Sequence, residues 1–347
     1  MTRALRWSRN RLFNTPFNAL LTLLFLYVLA VVLPELLEWG VFRASFDAVD
    51  YAACRRSGGA CWAFIGDWYR FILFGRFPYD QQWRPAITVV IFIMLLLASC
   101  DRRMRNRWLV LVWSLGLGAV GILMWGGVFG LPFVETEVWN GLPLTLILSV
   151  TGIGFSFPLA VLLALGRRSE LPAIRAICVF YIEVVRGMPF IVFLFMGTVM
   201  VPLFLPADVT IPKLWRADIV FALFIAAYVA EVIRGGLQAI PRGQIEAAQA
   251  LGLGYWRQMG LVVLPQALTI SIPPLVGTFI GAFKDTALVT IVGFFDLLQD
   301  VTAGMNDPHW RGAYVEGYAF VAAIYFVFCY FMSRYSRYLE AQLSRGR

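Results

Sequence analysis

Charged residues are scarce in this sequence, and those inside its longest apolar stretches are the first candidates for chemistry. Glu183 and Arg186 are three residues apart, a spacing that puts both on one face of a helix and predicts that they pair. Gly187 and Pro189 follow and would disturb that helix, which frees backbone groups inside a helix bundle. Because ionisable groups are costly in a membrane, the pair indicates either a gate or wall of a substrate path or a buried structural ion pair.

A second charged pair, Lys284 and Asp285, ends one apolar stretch and precedes another, Thr286–Gly293, that is too short to cross a membrane. Adjacent opposite charges near a helix break suit a molecule that carries both a carboxylate and an ammonium group. An internal contact between the two side chains explains them equally well. Glu231 and Arg234 have the three-residue spacing too, and for them a structural ion pair is favoured.

The remaining reactive residue types indicate neither a metal site nor a nucleotide site. Cys54 and Cys61 bracket a polar loop and would form a disulfide if that loop faces an oxidising compartment. No cysteine or histidine cluster has metal-ligand spacing, and the single histidine, His309, has no partner. The only lysines, Lys213 and Lys284, do not end a glycine-rich phosphate-binding loop. The chain is therefore not expected to hold a metal or cofactor, or to bind and hydrolyse ATP by that motif.

The composition places these residues in a membrane protein. Of the 347 residues, 60% are hydrophobic and 14% are charged, and the mean hydropathy is +0.74. A soluble domain has about 45–50% apolar and about 25% charged residues. The net charge of +8 comes mainly from arginines at the ends of apolar runs, which is typical of cytoplasmic flanks and argues against nucleic-acid binding.

Apolar runs of suitable length predict an all-α membrane protein with about eight transmembrane helices. The predicted spans are Phe17–Phe42, Pro85–Cys100, Trp108–Leu131, Leu142–Gly166, Ile177–Leu205, Ile219–Leu237, Ala267–Phe283 and Tyr318–Tyr338. The first span is expected to be a retained anchor, because no signal-peptide cleavage site follows it. Basic clusters that predict both termini to be cytoplasmic include Arg3, Arg6, Arg9 and Arg11, then Arg102, Arg103, Arg105 and Arg107, and finally Arg334, Arg337, Arg345 and Arg347.

This pattern divides the chain into three parts. Residues 1–139 are predicted to form an N-terminal membrane extension of three helices, with a periplasmic loop at about 43–84. Residues 140–338 contain about five spans and all the mechanistic motifs, and residues 339–347 form a cytoplasmic tail. The periplasmic loop contains arginines, Arg84 among them, that do not fit the expected charge distribution of an outer loop.

Residues 238–265 form a predicted cytoplasmic loop with a short helix. Pro241 and Gly243 end the preceding membrane helix, and Glu246 is expected in the first turn of a new helix, where the helix dipole favours a carboxylate. Pro265 is expected to open the next apolar helix. A short protruding helix suits a groove on another protein, although an ordinary amphipathic loop helix has the same shape.

The spacing in this loop resembles the EAA signature of ABC-importer permeases, with valine at Val262 where the signature has isoleucine. In that family the loop is the coupling helix that docks on the ATPase subunit. The residues to which the resemblance assigns this role are Glu246, Ala247, Ala248, Gly252, Leu264 and Pro265.

Further motifs resemble the polar amino-acid uptake branch of the family, and they cover most of residues 140–338. These motifs are Ala227–Gly236, Arg186–Pro189, Leu142–Thr145 and Lys284–Val289. The stretches Tyr69–Tyr79 and Gln82–Pro85 are similar to the M-type permease of general L-amino-acid transporters. The resemblance implies a type I ABC-importer core of about five helices preceded by three extra helices, in the bacterial inner membrane.

The same resemblance implies partners and a substrate class. It implies a separate ATPase that binds ATP and Mg, a homologous second permease of the Q type, and a periplasmic amino-acid-binding protein. Many relatives have Asn-Glu where this chain has Gly277 and Thr278, and the absence of that carboxylate indicates broad rather than strictly cationic specificity. The substrate-path candidates are Thr278, Lys284, Asp285, Glu183 and Arg186.

Three alternatives remain at this point. One is an ABC permease for a narrower set of amino acids. An ion-coupled secondary transporter is the second, although the paired repeats common in that class are not apparent. The third is a non-transporting membrane scaffold or sensor, for which no signalling domain is visible.

Overall fold

The computed structural model describes residues 11–101, 107–206 and 208–343, and these are mostly helical. No β-strand occurs within these ranges, and one isolated bridge pairs Ser45 with Cys61. The predicted all-α class is confirmed. Many of the arginines that predict the orientation lie outside the described residues. They are Arg3, Arg6, Arg9, Arg102, Arg103, Arg105, Arg345 and Arg347.

The α-helices are numbered here in chain order. They are α1 Pro16–Leu37, α2 Tyr51–Ser57, α3 Trp62–Phe74, α4 Trp83–Cys100, α5 Arg107–Trp125, α6 Gly141–Gly166, α7 Pro172–Gly187, α8 Phe190–Phe195, α9 Lys213–Gln238, α10 Arg242–Ala250, α11 Tyr255–Gln258, α12 Leu264–Asp285, α13 Leu297–Met305 and α14 Tyr314–Leu343. Short π or 3-10 turns extend α1, α8, α11 and α12.

Seven helical segments of the described chain are long and apolar enough to cross a bilayer, or eight when one bent pair is counted as a span. That pair is Pro172–Gly187 with Phe190–Phe204, and its two parts are bent by 110°. The predicted span Ile177–Leu205 is therefore broken, at the Gly187 and Pro189 positions where the sequence indicates a disturbed helix. The cause is local, because α7 ends at Gly187 and Pro189 caps the next helix, with extended backbone at Met188 between them.

Two other predicted boundaries differ from the observed ones. The run Trp108–Leu131 ends early at Trp125, because Gly126 and Gly127 adopt positive φ angles and turn the chain. The run Ala267–Phe283 belongs to a longer helical segment, Tyr255–Val292.

Pro265 lies in the first turn of α12, as predicted, although helical backbone of the longer segment precedes it. A proline lacks the N–H of a normal helical residue and collides with the carbonyl four residues earlier. A π-helical turn, Met259–Val263, directly precedes α12 and locally widens the helix. The helix therefore continues past Pro265.

The described part of Met1–Tyr69 forms a compact unit with Gly304–Phe320. No residue of α1 is buried, as suits a helix surrounded by lipid. Cys54 and Cys61 are joined by a disulfide. The Cys61 N–H donates to Glu316 Oε1 at 2.8 Å, and the Tyr51 N–H donates to the His309 carbonyl at 2.8 Å. Covalent and hydrogen bonds thus order the loop after α1.

The second unit, Arg70–Ala303 with the described part of Val321–Arg347, is built around α9. Small residues let neighbouring helices approach this helix closely. Gly152 of α6 faces the Phe221 ring, and a Cβ added at Gly236 of α9 would lie 2.5 Å from the Ala267 carbonyl of α12. Helices α6, α9 and α12 therefore form the core that positions the site described below.

Arg84, which did not fit the expected charge of an outer loop, is fully buried near the start of α4. Its guanidinium donates to the carbonyl oxygens of Leu123, Met124 and Pro132 and to the side chain of Gln81. The last carbonyls of a helix have no partners within that helix. Arg84 therefore satisfies the end of α5 and is a structural residue, not a surface charge.

Candidate coupling loop and translocation site

The predicted coupling loop contains the nine-residue helix α10, which Pro241 caps. Glu246 and Ala247 are exposed on this helix, and Ala248 is buried. The Gln244 side chain accepts a hydrogen bond from Gln266 Nε2 at 3.3 Å, which links α10 to α12. One face of the short helix is therefore held by its own chain, and the other is open.

Two details of the loop differ from the sequence prediction. Helix α10 begins at Arg242, so Glu246 lies in its second turn, and no acidic residue lies in its first turn. The prediction that Glu246 gains from the helix dipole is wrong, because that effect is largely confined to the first turn. Gly243 is part of α10 and does not end the membrane helix, which ends at Gln238.

Gly252 reverses the chain after α10. Its φ of +72° lies in the left-handed region that favours glycine. The Gly252 N–H donates to the Gln249 carbonyl at 2.9 Å, and the Leu253 N–H donates to the Ala248 carbonyl at 3.1 Å. These bonds satisfy the end of the helix as in other left-handed caps.

The turn also carries exposed apolar side chains. Leu251 is 80% exposed and Trp256 is 74% exposed, and Leu261 on the following π turn is also exposed. Large exposed apolar groups near a protruding helix are typical of a protein interaction surface. Leu264 and Pro265, the other two signature residues, lie where α12 begins.

A second feature is a cavity of about 310 Å³ between α8, α9 and α12, called here the α9–α12 cavity. Thr278 and Asp285, seven residues apart on α12, both line it. The Thr278 hydroxyl donates to the Pro274 carbonyl at 3.0 Å. The other lining residues are Phe190, Phe224, Ile225, Tyr228, Gly281 and Ala282. The cavity is thus mainly apolar and aromatic, and its α12 wall contains Thr278 and Asp285.

Lys284 does not line this cavity, although its neighbour Asp285 does. No ion pair between the two occurs among the described residues. Successive residues of a helix point about 100° apart. The structure therefore brings Thr278 and Asp285 together and separates Lys284 from them.

Glu183 and Arg186 do not pair, which corrects the sequence prediction. Glu183 instead contacts Arg167 at 2.8 Å, and Arg186 lies 3.9 Å from Glu231. Tertiary partners on other helices replace the expected intrahelical pair. Glu183 is 55% exposed.

Arg186 is connected to the α9–α12 cavity through Tyr228. Its guanidinium lies 5.7 Å from the centre of the Tyr228 ring, and Tyr228 lines the cavity. The Tyr228 hydroxyl donates to the Arg186 carbonyl at 3.4 Å. Arg186 thus contacts a residue of the cavity wall without lining the cavity itself.

Glu231 is the centre of this charge network, which the sequence analysis did not foresee. It contacts Arg234 at 2.6 Å, as the sequence predicts, and also Arg167 and Arg186. Arg167 directly follows α6, and its position after an apolar run was the only sequence signal for it. The network joins α6, α7 and α9.

Two buried carboxylates outside the spans were also missed. Asp296 caps α13, where it accepts from the Gln299 N–H at 3.0 Å and from the Tyr325 hydroxyl at 3.1 Å. Asp300 is fully buried, and neither of its oxygens has a hydrogen-bond partner among the described residues. Burial, with a further contribution from the Asp296 charge, raises the pKa of Asp300 to about 9.

Comparison with known proteins assigns the chain to a family. Residues 156–345 match the family described as binding-protein-dependent transport system inner membrane component. The chain belongs to this family. It is therefore a membrane permease subunit of an importer, not an enzyme, and it works with a separate ATPase and a substrate-binding protein.

Individual relatives agree with this assignment. The inner membrane amino-acid ABC transporter permease protein YhdY of Escherichia coli (strain K12) is 45% identical, with 100% of this chain and 95% of the relative covered. The glutamate/glutamine/aspartate/asparagine transport system permease protein BztC of Rhodobacter capsulatus is 36% identical, with coverage of 99% and 94%.

A solved structure described as an amino acid ABC transporter with histidines is similar in fold. Its TM-score is 0.52 at 33% identity, and the match covers 58% of this chain and 92% of the solved chain. The type I importer core is therefore confirmed, and the protein is a multi-pass component of the bacterial inner membrane.

Proposed function

We propose that this permease imports L-amino acids of broad range through the α9–α12 cavity, and that the loop around α10 couples the cavity to the ATPase. A periplasmic binding protein delivers the amino acid, and a homologous second permease of the Q type completes the translocation path. The ATPase binds ATP and Mg and drives the alternation between outward-facing and inward-facing states.

One observation carries the coupling proposal. The helical segment Tyr255–Val292 runs from the coupling turn to the cavity. Trp256, at its start, and Thr278, in the cavity wall, are 22 residues apart, which corresponds to about 33 Å along a helix. A helix transmits displacement over this length because its backbone hydrogen bonds resist stretching. Movement of the ATPase against the exposed Glu246 and Ala247 is thereby passed to the cavity, with Ala248 packed on the chain's own side of the helix.

The shape and charge of the cavity support an amino-acid cargo. A volume of about 310 Å³ is at the lower end of small-molecule sites. Asp285 offers an acceptor for an ammonium group, and Thr278 offers a neutral polar group in the same wall. The relative from Rhodobacter capsulatus is named for both acidic amino acids and their amides. We extend that polar range to this chain, without strict selection for a cationic side chain.

Transport is tested with the whole assembly in proteoliposomes. The permease is reconstituted with its second permease, its ATPase and its binding protein, and uptake of labelled glutamate, glutamine and asparagine is measured with and without ATP inside. We expect uptake only with ATP. Uptake that continues without ATP and stops when an ion gradient is collapsed would instead indicate a secondary transporter.

The first prediction concerns substrate range. Replacement Thr278→Glu adds a second carboxylate to the cavity wall and should raise the uptake of arginine and lysine relative to glutamine by roughly tenfold, about 1.4 kcal/mol of discrimination. The measurement is competition among labelled amino acids in the same proteoliposomes.

A matched control is Thr269→Glu. Thr269 lies on the same helix and donates to the Pro265 carbonyl, as Thr278 donates to the Pro274 carbonyl, but it does not line the cavity. The control should leave the ratio unchanged. An equal shift in both variants would show that Thr278 has no special access to the substrate.

A further inference from the structure

A separate cavity of about 190 Å³ lies between α4, α5, α6 and α9, and we call it the tryptophan cavity. Three tryptophans, Trp125, Trp139 and Trp215, line it together with Asp218. None of these residues lines the α9–α12 cavity. The tryptophan cavity is therefore separate from the proposed substrate path.

Asp218 is the unusual member of this group. It is 4% exposed on an apolar membrane helix. Its carboxylate accepts a hydrogen bond from the Thr151 hydroxyl at 2.9 Å, and no described arginine or lysine forms an ion pair with it. A buried carboxylate without a cation is costly, because a hydroxyl donor offsets only part of its lost hydration.

The aromatic walls supply a second attraction for positive charge. The Trp125 ring centre lies 4.8 Å from that of Trp139 and 6.0 Å from that of Trp215. Indole faces attract cations, and tryptophan does so most strongly among the aromatic side chains. Tryptophan rings that share one cavity with a carboxylate suit an organic ammonium better than a metal ion, which takes several oxygen ligands.

An unused donor adds an independent observation. Trp139 is 2% exposed, and its Nε1–H has no acceptor among the described residues. A buried indole N–H normally finds a partner. The ligand should therefore also bring an oxygen acceptor.

We propose that the tryptophan cavity binds a primary ammonium group whose molecule also carries an oxygen acceptor. Asp218 accepts hydrogen bonds from the ammonium, Trp125 and Trp215 face its positive charge, and Trp139 donates to the oxygen. The phosphoethanolamine headgroup of a lipid and a free amino alcohol or amino acid share this chemistry.

A plain interfacial aromatic belt does not account for these features. Tryptophans at membrane interfaces place their polar edge towards water or headgroups. Here Trp139 is buried with an unused donor, and the carboxylate lies inside the helix bundle. A bound ammonium with an oxygen acceptor satisfies both groups at once.

The free-ligand arm of the test uses ethanolamine and the complete importer in nanodiscs that contain only phosphatidylglycerol. Ethanolamine should raise the unfolding temperature of the permease in a saturable manner, and ethylene glycol, which lacks the ammonium, should not. Asp218→Asn should weaken ethanolamine binding roughly tenfold or more. Asp80→Asn removes an exposed carboxylate that does not line the cavity and should bind as the wild type does.

The lipid arm uses nanodiscs with equal phosphatidylethanolamine and phosphatidylglycerol, followed by native mass spectrometry. If the lipid headgroup is the ligand, the wild type retains phosphatidylethanolamine and the Asp218→Asn variant does not. Trp215→Leu removes one aromatic wall, keeps the carboxylate and should weaken binding in the same arm. If Asp218→Asn does not fold, the Trp215→Leu variant and the comparison of ethanolamine with ethylene glycol still test whether the cavity binds an ammonium group. The proposal is overturned if neither ethanolamine nor phosphatidylethanolamine binds the wild type more tightly than these variants.

Discussion

At the residue scale, Asp300 shows how burial alone changes the behaviour of a carboxyl group. Its pKa in the folded protein is about 9, well above the ordinary value of 3.8. Between these two values the folded state holds a proton that the unfolded state has released. The contribution of the Asp300 carboxyl group to the free energy of unfolding is therefore fully present below about pH 4, and it is lost as the pH rises towards 9.

The second prediction follows from that sign. Asp300→Asn cannot ionise, so the variant should be more stable than the wild type at pH 8, and the difference should shrink as the pH falls towards 5. Thermal unfolding of the purified importer across this range is the measurement. Asp47→Asn, at an exposed position, is the control and should follow the wild-type pH dependence. Parallel curves for Asp300→Asn and the wild type would contradict the assignment.

Gly252 is the second residue whose role depends on backbone geometry. A Cβ placed there meets no atom within 4 Å, so space does not restrict the position. The φ of +72° at Gly252 restricts the position instead, because left-handed backbone costs most residues about 1–2 kcal/mol and costs β-branched residues the most.

The third prediction therefore compares two substitutions at one position. Gly252→Val should reduce recovery of the ATPase with a tagged permease, whereas Gly252→Asn should retain it because asparagine tolerates left-handed backbone. Membrane insertion of both variants should be normal. If both variants recover the same amount of ATPase, the left-handed turn at Gly252 is not needed for binding the ATPase.

At the element scale, Glu231 is where three helices meet through charge. Its carboxylate faces Arg234 on its own helix, Arg186 at the end of α7 and Arg167 after α6. Removal of this one negative charge leaves three neighbouring guanidinium groups without their shared counter-ion.

The fourth prediction is that Glu231→Gln lowers the free energy of unfolding by about 2 kcal/mol, as expected for loss of a partly buried charge partner. Glu183→Gln is the matched comparison, because Glu183 is more exposed and contacts only Arg167 among the described arginines. Its effect should be well under half as large. Thermal unfolding of both variants decides the point, and equal losses would show that Glu231 is not the centre of the network.

At the scale of the whole molecule, orientation in the membrane is the main property that remains a prediction. The EAA-type loop must face the cytoplasm to meet an ATPase, and the disulfide Cys54–Cys61 suits an oxidising periplasm. In the predicted topology an odd number of spans lies between the disulfide loop and the EAA-type loop, so the two loops are on opposite sides of the membrane. With both termini in the cytoplasm, the disulfide loop is periplasmic and the EAA-type loop is cytoplasmic.

The fifth prediction tests this orientation by labelling single cysteines in whole cells. Native Cys100, Cys178 and Cys329 are first replaced by alanine. An impermeant maleimide should then label Glu135→Cys in intact cells and Gln249→Cys only after the membrane is opened. Both positions are exposed. Labelling of Gln249→Cys in intact cells would reverse the proposed topology.

The sequence by itself determined the class and the approximate spans, and it predicted the coupling loop. Length and hydropathy of apolar runs depend on local composition, so α1, α4, α6 and α14 were predicted close to their observed bounds. The turn at Gly252 was also predictable, because a glycine that ends a short helix is a local signal.

Only the tertiary structure decided which charges meet. The sequence predicted a pair between Glu183 and Arg186 from helix geometry, but Arg167 after α6 and Glu231 on α9 are their partners instead. Asp218 was overlooked because the predicted span began one residue later, and its cavity is formed by helices distant in sequence. Charged and cavity-lining residues on different helices come together only when the helices pack. Residue spacing within one helix therefore cannot predict a partner on another helix.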